Sequence, residues 1–182
     1  MFSEVRQAIL PLALRNLKRR GDLERAGLLI ESLAKHWCDS KPFQVLIVSP
    51  ERDAVLLRGS LPRFRNIEVS VRAEGDFFPA FSRFYMMTGW YRQQMVKLHV
   101  PAKLGFGGYL TLDSDVCCVG DFDATTFIEN GRALSRWAFL RADYRRERRN
   151  SNLPAFQTHA HLFMVQLGIG FLGSTPTGLA RR

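Results

Sequence analysis

Tyr109-Leu110-Thr111-Leu112-Asp113-Ser114-Asp115-Val116 is the stretch that decides how this chain is read. Its first four residues are β-prone and largely apolar, the pattern of a buried strand, and two carboxylates one residue apart follow at once. Burying an unpaired carboxylate costs on the order of several kcal/mol, so two at one strand end need water, a cation or strong donors. In open α/β sheets ligands bind beyond the carboxyl ends of the strands. Asp113 and Asp115 are therefore candidate metal ligands for a hard divalent cation, Mn²⁺ or Mg²⁺, with water and substrate phosphates completing the shell.

Working outward, helical and extended segments alternate. Gln7 to Leu14 is apolar but interrupted by Pro11, which suits a short strand ending near the proline better than a helix interior. From Asp22, placed as an N-cap, Leu23, Ala26, Leu29, Ile30, Leu33 and Trp37 recur at three- and four-residue spacing and predict an amphipathic helix. Phe43 to Val48 is a β-rich run between Pro42 and Pro50, and Glu51 to Arg58 suits a short helix. Asn66 to Val71 alternates as a half-buried strand. A helix from about Ser82 to His99 and the turn Gly105-Phe106-Gly107-Gly108 then lead into the acidic strand. Alternation of this kind means βαβ units, right-handed crossovers and a mostly parallel sheet flanked by helices, an α/β fold. The strand bearing Asp113, apolar on both faces, is expected at the centre of that sheet. Past Phe122 the pattern suggests a strand over Ala133 to Leu140, a polar loop over Arg141 to Asn152 and a helix over Ala155 to Leu167. No repeat or linker divides residues 1–182, so one domain is expected.

The chain has 182 residues, 46% of them hydrophobic and 12% aromatic, which is enough for a sizeable core. Its formal net charge is +9, concentrated at Arg15, Lys18, Arg19 and Arg20 and at Arg141, Arg145, Arg146, Arg148 and Arg149. Such a balance favours anionic ligands, phosphorylated substrates and nucleic acid among them, although a charge run is most often a solvated face. No aromatic-rich nucleic-acid signature interrupts either cluster. Cys38, Cys117 and Cys118 form neither a C-x-x-C nor an even set, so neither a disulfide framework nor a zinc site follows. The N-terminal apolar run, Ala8 to Leu14, is only seven residues long, preceded by Glu4 and followed by basic residues, the wrong order for a secretory signal, and no window reaches membrane-spanning length. A cytoplasmic setting is the expectation.

The strand-D-x-D pattern resembles that of GT-A-type glycosyltransferases. Gly89-Trp90-Tyr91-Arg92-Gln93-Gln94, then Val96-Lys97-Leu98, then Leu112-Asp113-Ser114-Asp115-Val116, is similar to a bacterial family of uncharacterised glycosyltransferases carrying G-W-x-x-Q-Q-x-x-K-L before L-D-S-D-V. The likeness takes in Ile9-Leu10-Pro11-Leu12 as first strand and Leu46-Ile47-Val48-Ser49-Pro50 as second, and so spans most of residues 7 to 123. It implies a GT-A-like, Rossmann-related domain that binds a nucleotide-diphosphate sugar through Mn²⁺ or Mg²⁺ and transfers the sugar to an acceptor. Asp113 and Asp115 would hold the metal, and Asp113, Ser114, Gln93, Gln94, Lys97, Trp90, Pro11 and Leu12 would contact the donor. On a helix, Trp90, Gln94 and Lys97 share a face, with Gln93 in the neighbouring row. The glutamines suit sugar hydroxyls and Lys97 a phosphate; against this, Trp90, Met95 and Leu98 equally suit ordinary core, and Lys97 a solvated surface. With 67 residues after Asp115 (182 − 115), the resemblance also implies that part of the acceptor half is missing, so a nucleotide-sugar-binding remnant is the first alternative and a basic nucleic-acid binder the second.

Other families use the same letters. Haloalkanoate-dehalogenase-like phosphatases open on D-x-D, but Cys117 stands where they carry Thr or Val, and no Gly-Thr follows. Gly168-Ile169-Gly170-Phe171-Leu172-Gly173 spells G-x-G-x-x-G, yet Pro176 and Gly178 stand where a dinucleotide site needs a helix. His159 and His161, two apart, face about 200° apart on a helix and are read as a surface or core pair.

Overall fold

The computed structural model describes residues 4–14, 21–78 and 89–133. Within them β1 (Gln7–Pro11), β2 (Phe43–Ser49), β3 (Ile67–Ala73) and β4 (Leu110–Thr111) form one parallel sheet in the order β3-β2-β1-β4. Helices α1 (Gly21–His36), α2 (Glu51–Ser60) and α3 (Gly89–Leu104) alternate with the strands. A short antiparallel pair, β5 (Ile128–Glu129) and β6 (Arg132–Ala133), comes last. This is the expected α/β architecture with a mostly parallel sheet.

The apolar runs in β1 and β2 need cover on both faces, and the helices supply it. On one face Ala8, Leu10, Val45 and Ile47 pack with Ala26, Leu29, Ile30 and Leu33 of α1 and Leu57 of α2. On the other, Ile9, Leu46 and Val48 pack with Val96 and Val100 of α3 and with Tyr109. Each fully buried aliphatic or aromatic side chain contributes about 1.5–3 kcal/mol. β3 is half-covered: Ile67, Val69 and Val71 join the α1 side while Glu68, Ser70 and Arg72 face outward, the alternation expected of it.

Three expectations change. Among the described residues β4 is an outer strand, paired with β1 alone, and not the centre of the sheet. Tyr109, Leu110 and Leu112 are buried because helices lie above and below them, and burial on two faces carries no information about lateral neighbours. Helix α3 runs through Pro101 to Leu104 instead of stopping near His99. Late in a helix the proline forfeits a single backbone bond, and Gly105, at φ 69°, then closes the end: its N–H bonds Ala102 O and that of Phe106 bonds Pro101 O, a Schellman arrangement. Asp22 lies inside the first turn of α1, where it pairs with Arg25 and suits the positive end of the helix dipole, rather than capping from outside. The first residues of the expected Ser82–His99 helix, both basic clusters, the elements expected beyond Ala133, the His159/His161 pair and the Gly168–Gly173 turn lie outside the described residues.

After the acidic residues the chain returns along α1 to the amino edge of the sheet. Cys118 N–H bonds Ser32 Oγ, Phe122 and His36 to Cys38 exchange backbone bonds, and Val5 N–H bonds Ala124 O. Phe122 closes an aromatic cluster with Trp37 and Phe43, its ring centroid 5.1 and 5.7 Å from theirs. The turn that carries Asp113 and Asp115 is thus held from both sides.

Candidate active site at the carboxyl edge of the sheet

In the order β3-β2-β1-β4 the chain leaves β1 towards β2 on one side and comes back to β4 on the other. That reversal puts the carboxyl ends of β1 and β4 at the general ligand position of such sheets. The ladders run one residue further, with Leu12 N–H on Val48 O and Leu112 N–H on Ile9 O, and then part. Asp113-Ser114-Asp115 follows directly as a turn, closed by a long bond of 3.4 Å from Val116 N–H to Asp113 O. Asp113 and Ser114 are half-buried and Asp115 is exposed.

Helix α3 supplies the neighbouring wall. With Val96 and Val100 anchored in the core, Lys97 is carried to the tip of β4, where its Nζ donates to Asp113 Oδ1 at 2.7 Å. The lysine side chain is 10% exposed and the aspartate 26%, so the pair is largely withdrawn from water. Lys97, expected to meet a phosphate, holds Asp113 in the free protein. Gln93 and Gln94 are half-buried one turn earlier, whereas Trp90 is 61% exposed, edge-on to Tyr91 with centroids 5.0 Å apart. The alternative of a solvated Lys97 beside a core of Trp90, Met95 and Leu98 is reversed, since Lys97 is buried and those three are exposed. Apolar residues lie all round α3, and only docking on the sheet selects which arc is covered.

Pro11 ends β1 opposite Val48. Leu12 is buried in the larger core. Both residues are buried at the carboxyl end of β1.

The same edge holds polar groups that pattern reading passed over. Ser49, at the end of β2, is fully buried with its hydroxyl unpartnered among the described residues. Asp53, 1% exposed, accepts Leu14 N–H on Oδ2 at 2.9 Å. Its Oδ1 lies 3.3 Å from Arg52 Nε but off the line of a hydrogen bond. Glu74, just past β3, is buried and pairs with Arg92 of α3; loss of water pushes its carboxyl above the ordinary value despite the arginine. The signal available was positional: a polar residue directly after an apolar parallel strand stands at the ligand edge.

Asp113 and Asp115 suit a cation shared with a substrate diphosphate better than a closed protein cage. Among the described residues no group of three or more His, Cys, Asp and Glu is placed to hold an ion. One or two carboxylates completed by waters and phosphates is the usual manner of Mg²⁺ and related ions, so these residues fit the implied metal.

A parallel sheet flanked by helices, with two acids and a buried lysine where its strand order reverses, defines an α/β protein. The chain belongs to a family of unknown function (DUF6492), which matches residues 3–154. Among solved structures it is similar to mouse xyloside xylosyltransferase 1 in the apo form, at 16% identity and a TM-score of 0.38 over 60% of this chain and 43% of that one. The chain thus spans less than half of that structure. No curated protein matches it. No helix among the described residues is long and apolar enough to cross a membrane.

Proposed function

We propose that this protein is a GT-A-type glycosyltransferase that takes a sugar from a nucleotide-diphosphate donor with the help of Mn²⁺ or Mg²⁺. One observation carries the proposal: Asp113-Ser114-Asp115 turns just past β4, where the strand order reverses, with the buried Lys97 ammonium on Asp113. Two acids and one base at that place suit a pyrophosphate bridged by a cation. Asp115, exposed and without an ion-pair partner among the described residues, is the principal metal ligand, and Asp113 contacts the same ion or the donor ribose. When bound, the ion supplies Lewis acidity to the departing diphosphate. Lys97 adds a fixed positive charge where negative charge grows. Gln93 and Gln94 bind sugar hydroxyls, Ser114 leaves space for a phosphate, and Pro11 and Leu12 border the donor through their backbone.

Thermal shift with UDP- and GDP-sugars, with and without Mn²⁺, tests this. The expected result is stabilisation that requires both and is lost in Asp115→Ala, with acceptor-dependent nucleotide release under the same conditions. Stabilisation without any release, across a panel of acceptors, makes the protein a nucleotide-sugar-binding remnant. Absence of stabilisation with every donor rules the proposal out.

A further inference from the structure

Resting on the donor-site assignment above, we propose that Lys97 is a positioning residue that couples the two ligands, holding Asp113 against a cation that arrives without a diphosphate and releasing it when both arrive. In the free protein Asp113 Oδ1 is held 2.7 Å from Lys97 Nζ, in a pair 26% and 10% exposed. A cation drawing on Asp113 competes directly with that ammonium, because two positive centres sharing one carboxylate repel at short range. A largely buried ammonium that loses its counter-charge is strongly unfavourable. Helix α3 cannot turn to bring it out to water, since Val96, Val100 and Pro101 anchor the helix in the core. A diphosphate resolves the conflict by taking Lys97 as its own partner. A nucleotide diphosphate without the cation meets the mirror problem, since Lys97 is already engaged and Asp113 repels phosphate.

The bond between cation and phosphate makes joint binding cooperative by itself. The diagnostic is therefore the direction in which single-ligand affinities move when the lysine is changed. Calorimetric titration of the full chain with Mn²⁺ alone, UDP or GDP alone, and each in the presence of the other gives the mutual factor, which is reciprocal by linkage. In the unmodified protein that factor is expected to be tenfold or more. Lys97→Met is expected to bind Mn²⁺ alone at least threefold more tightly, while its mutual factor falls severalfold; Lys97→Arg keeps the factor. Asp113→Asn, a second variant that does not depend on Lys97→Met folding, is expected to bind the nucleotide alone more tightly than the unmodified chain does, because the ammonium is freed. A merely structural role for Lys97 weakens all binding and tightens none. Equal Mn²⁺ affinity with and without Lys97, at an unchanged mutual factor, overturns the coupling while leaving the donor site standing. No binding of either ligand in any combination overturns the donor site and the coupling together.

Discussion

Both edges of one parallel sheet carry ion pairs, Lys97–Asp113 and Arg92–Glu74 at the carboxyl edge among them, but they differ in what is left beside those pairs. At the amino edge Arg6 Nη1 lies 2.6 Å from Asp39 Oδ2 and Arg6 Nε donates to Glu4 at 2.9 Å, while His36 Nδ1 lies 2.9 Å from Asp121. These pairs brace the end of α1 against the start of β1 beside the packed Trp37, Phe43 and Phe122 rings. At the carboxyl edge Asp115 has no ion-pair partner among the described residues, Ser49 is buried without one, and Glu74 is held at a desolvation cost. Among the described residues buried polar atoms without a hydrogen bond occur at both edges, Arg6 Nη1 and Tyr109 Oη towards the amino edge and Ser49 Oγ and Asp53 Oδ1 at the carboxyl edge, so the contrast rests on Asp115, an exposed unpaired carboxylate where open α/β sheets take their ligands.

The sharpest way to break that contrast is to cut each edge. Phe43→Ala removes a fully buried ring from the amino edge and is expected to lose about 3–5 kcal/mol of stability in urea unfolding. Asp115→Ala, at an exposed position, should stay within about 0.5 kcal/mol of the unmodified protein in the same assay. It is expected nevertheless to lower turnover by roughly 10²–10³, the scale for removing one electrostatic stabiliser of a transition state. If Asp115→Ala unfolds the protein instead, the carboxyl edge is structural and the contrast fails.

A milder change sharpens it. Tyr109 is fully buried beside Ile9, Val96 and Val100, and its hydroxyl is unpartnered among the described residues, so burial pushes its pKa up. Tyr109→Phe removes the unmatched hydroxyl and is expected to raise stability by about 1 kcal/mol. A loss of that size would reveal a partner for the hydroxyl.

The smallest effect is in pH dependence, and its sign differs between the edges. Asp39 is held down to about 2 by Arg6, so the stability it adds is present above the ordinary carboxylate range and is lost as pH falls from about 4 towards 2. Glu74 is raised by burial, so its contribution runs the other way: it is best tolerated protonated, and stability falls as pH rises through its elevated value. Urea midpoints of Asp39→Asn and Glu74→Gln between pH 2 and pH 7 should show the first flattening the acid limb and the second flattening the fall above about pH 4.5. Slopes of the same sign in both variants would erase the distinction.

Legibility followed the physics of each signal. The inner stripe of α1, the runs of β1 and β2 and the half-buried β3 were readable because each period maps onto one face of one element. The outer position that β4 holds among the described residues was not, since apolarity on two faces reports the layers above and below and is silent about strands alongside. Asp113, Ser114 and Asp115 were readable as an acidic strand end. The grip of Lys97 on Asp113 was not, because α3 is apolar on more than one arc and its rotation depends on what it packs against. Glu74, Asp53 and Ser49 were missed because each is an ordinary polar residue until strand order brings it to a shared edge.

By itself the sequence determined the elements from β1 to β3, the faces that α1, β1, β2 and β3 bury, and the two carboxylates at the strand tip, since propensity, period and side-chain type are local properties. Only the tertiary structure decided which strands lie side by side, which arc of α3 faces inward, and that an ammonium already occupies one oxygen of the acidic pair. Those depend on contacts between residues distant in the chain, 16 positions apart for Lys97 and Asp113, and no local pattern encodes where two such segments meet.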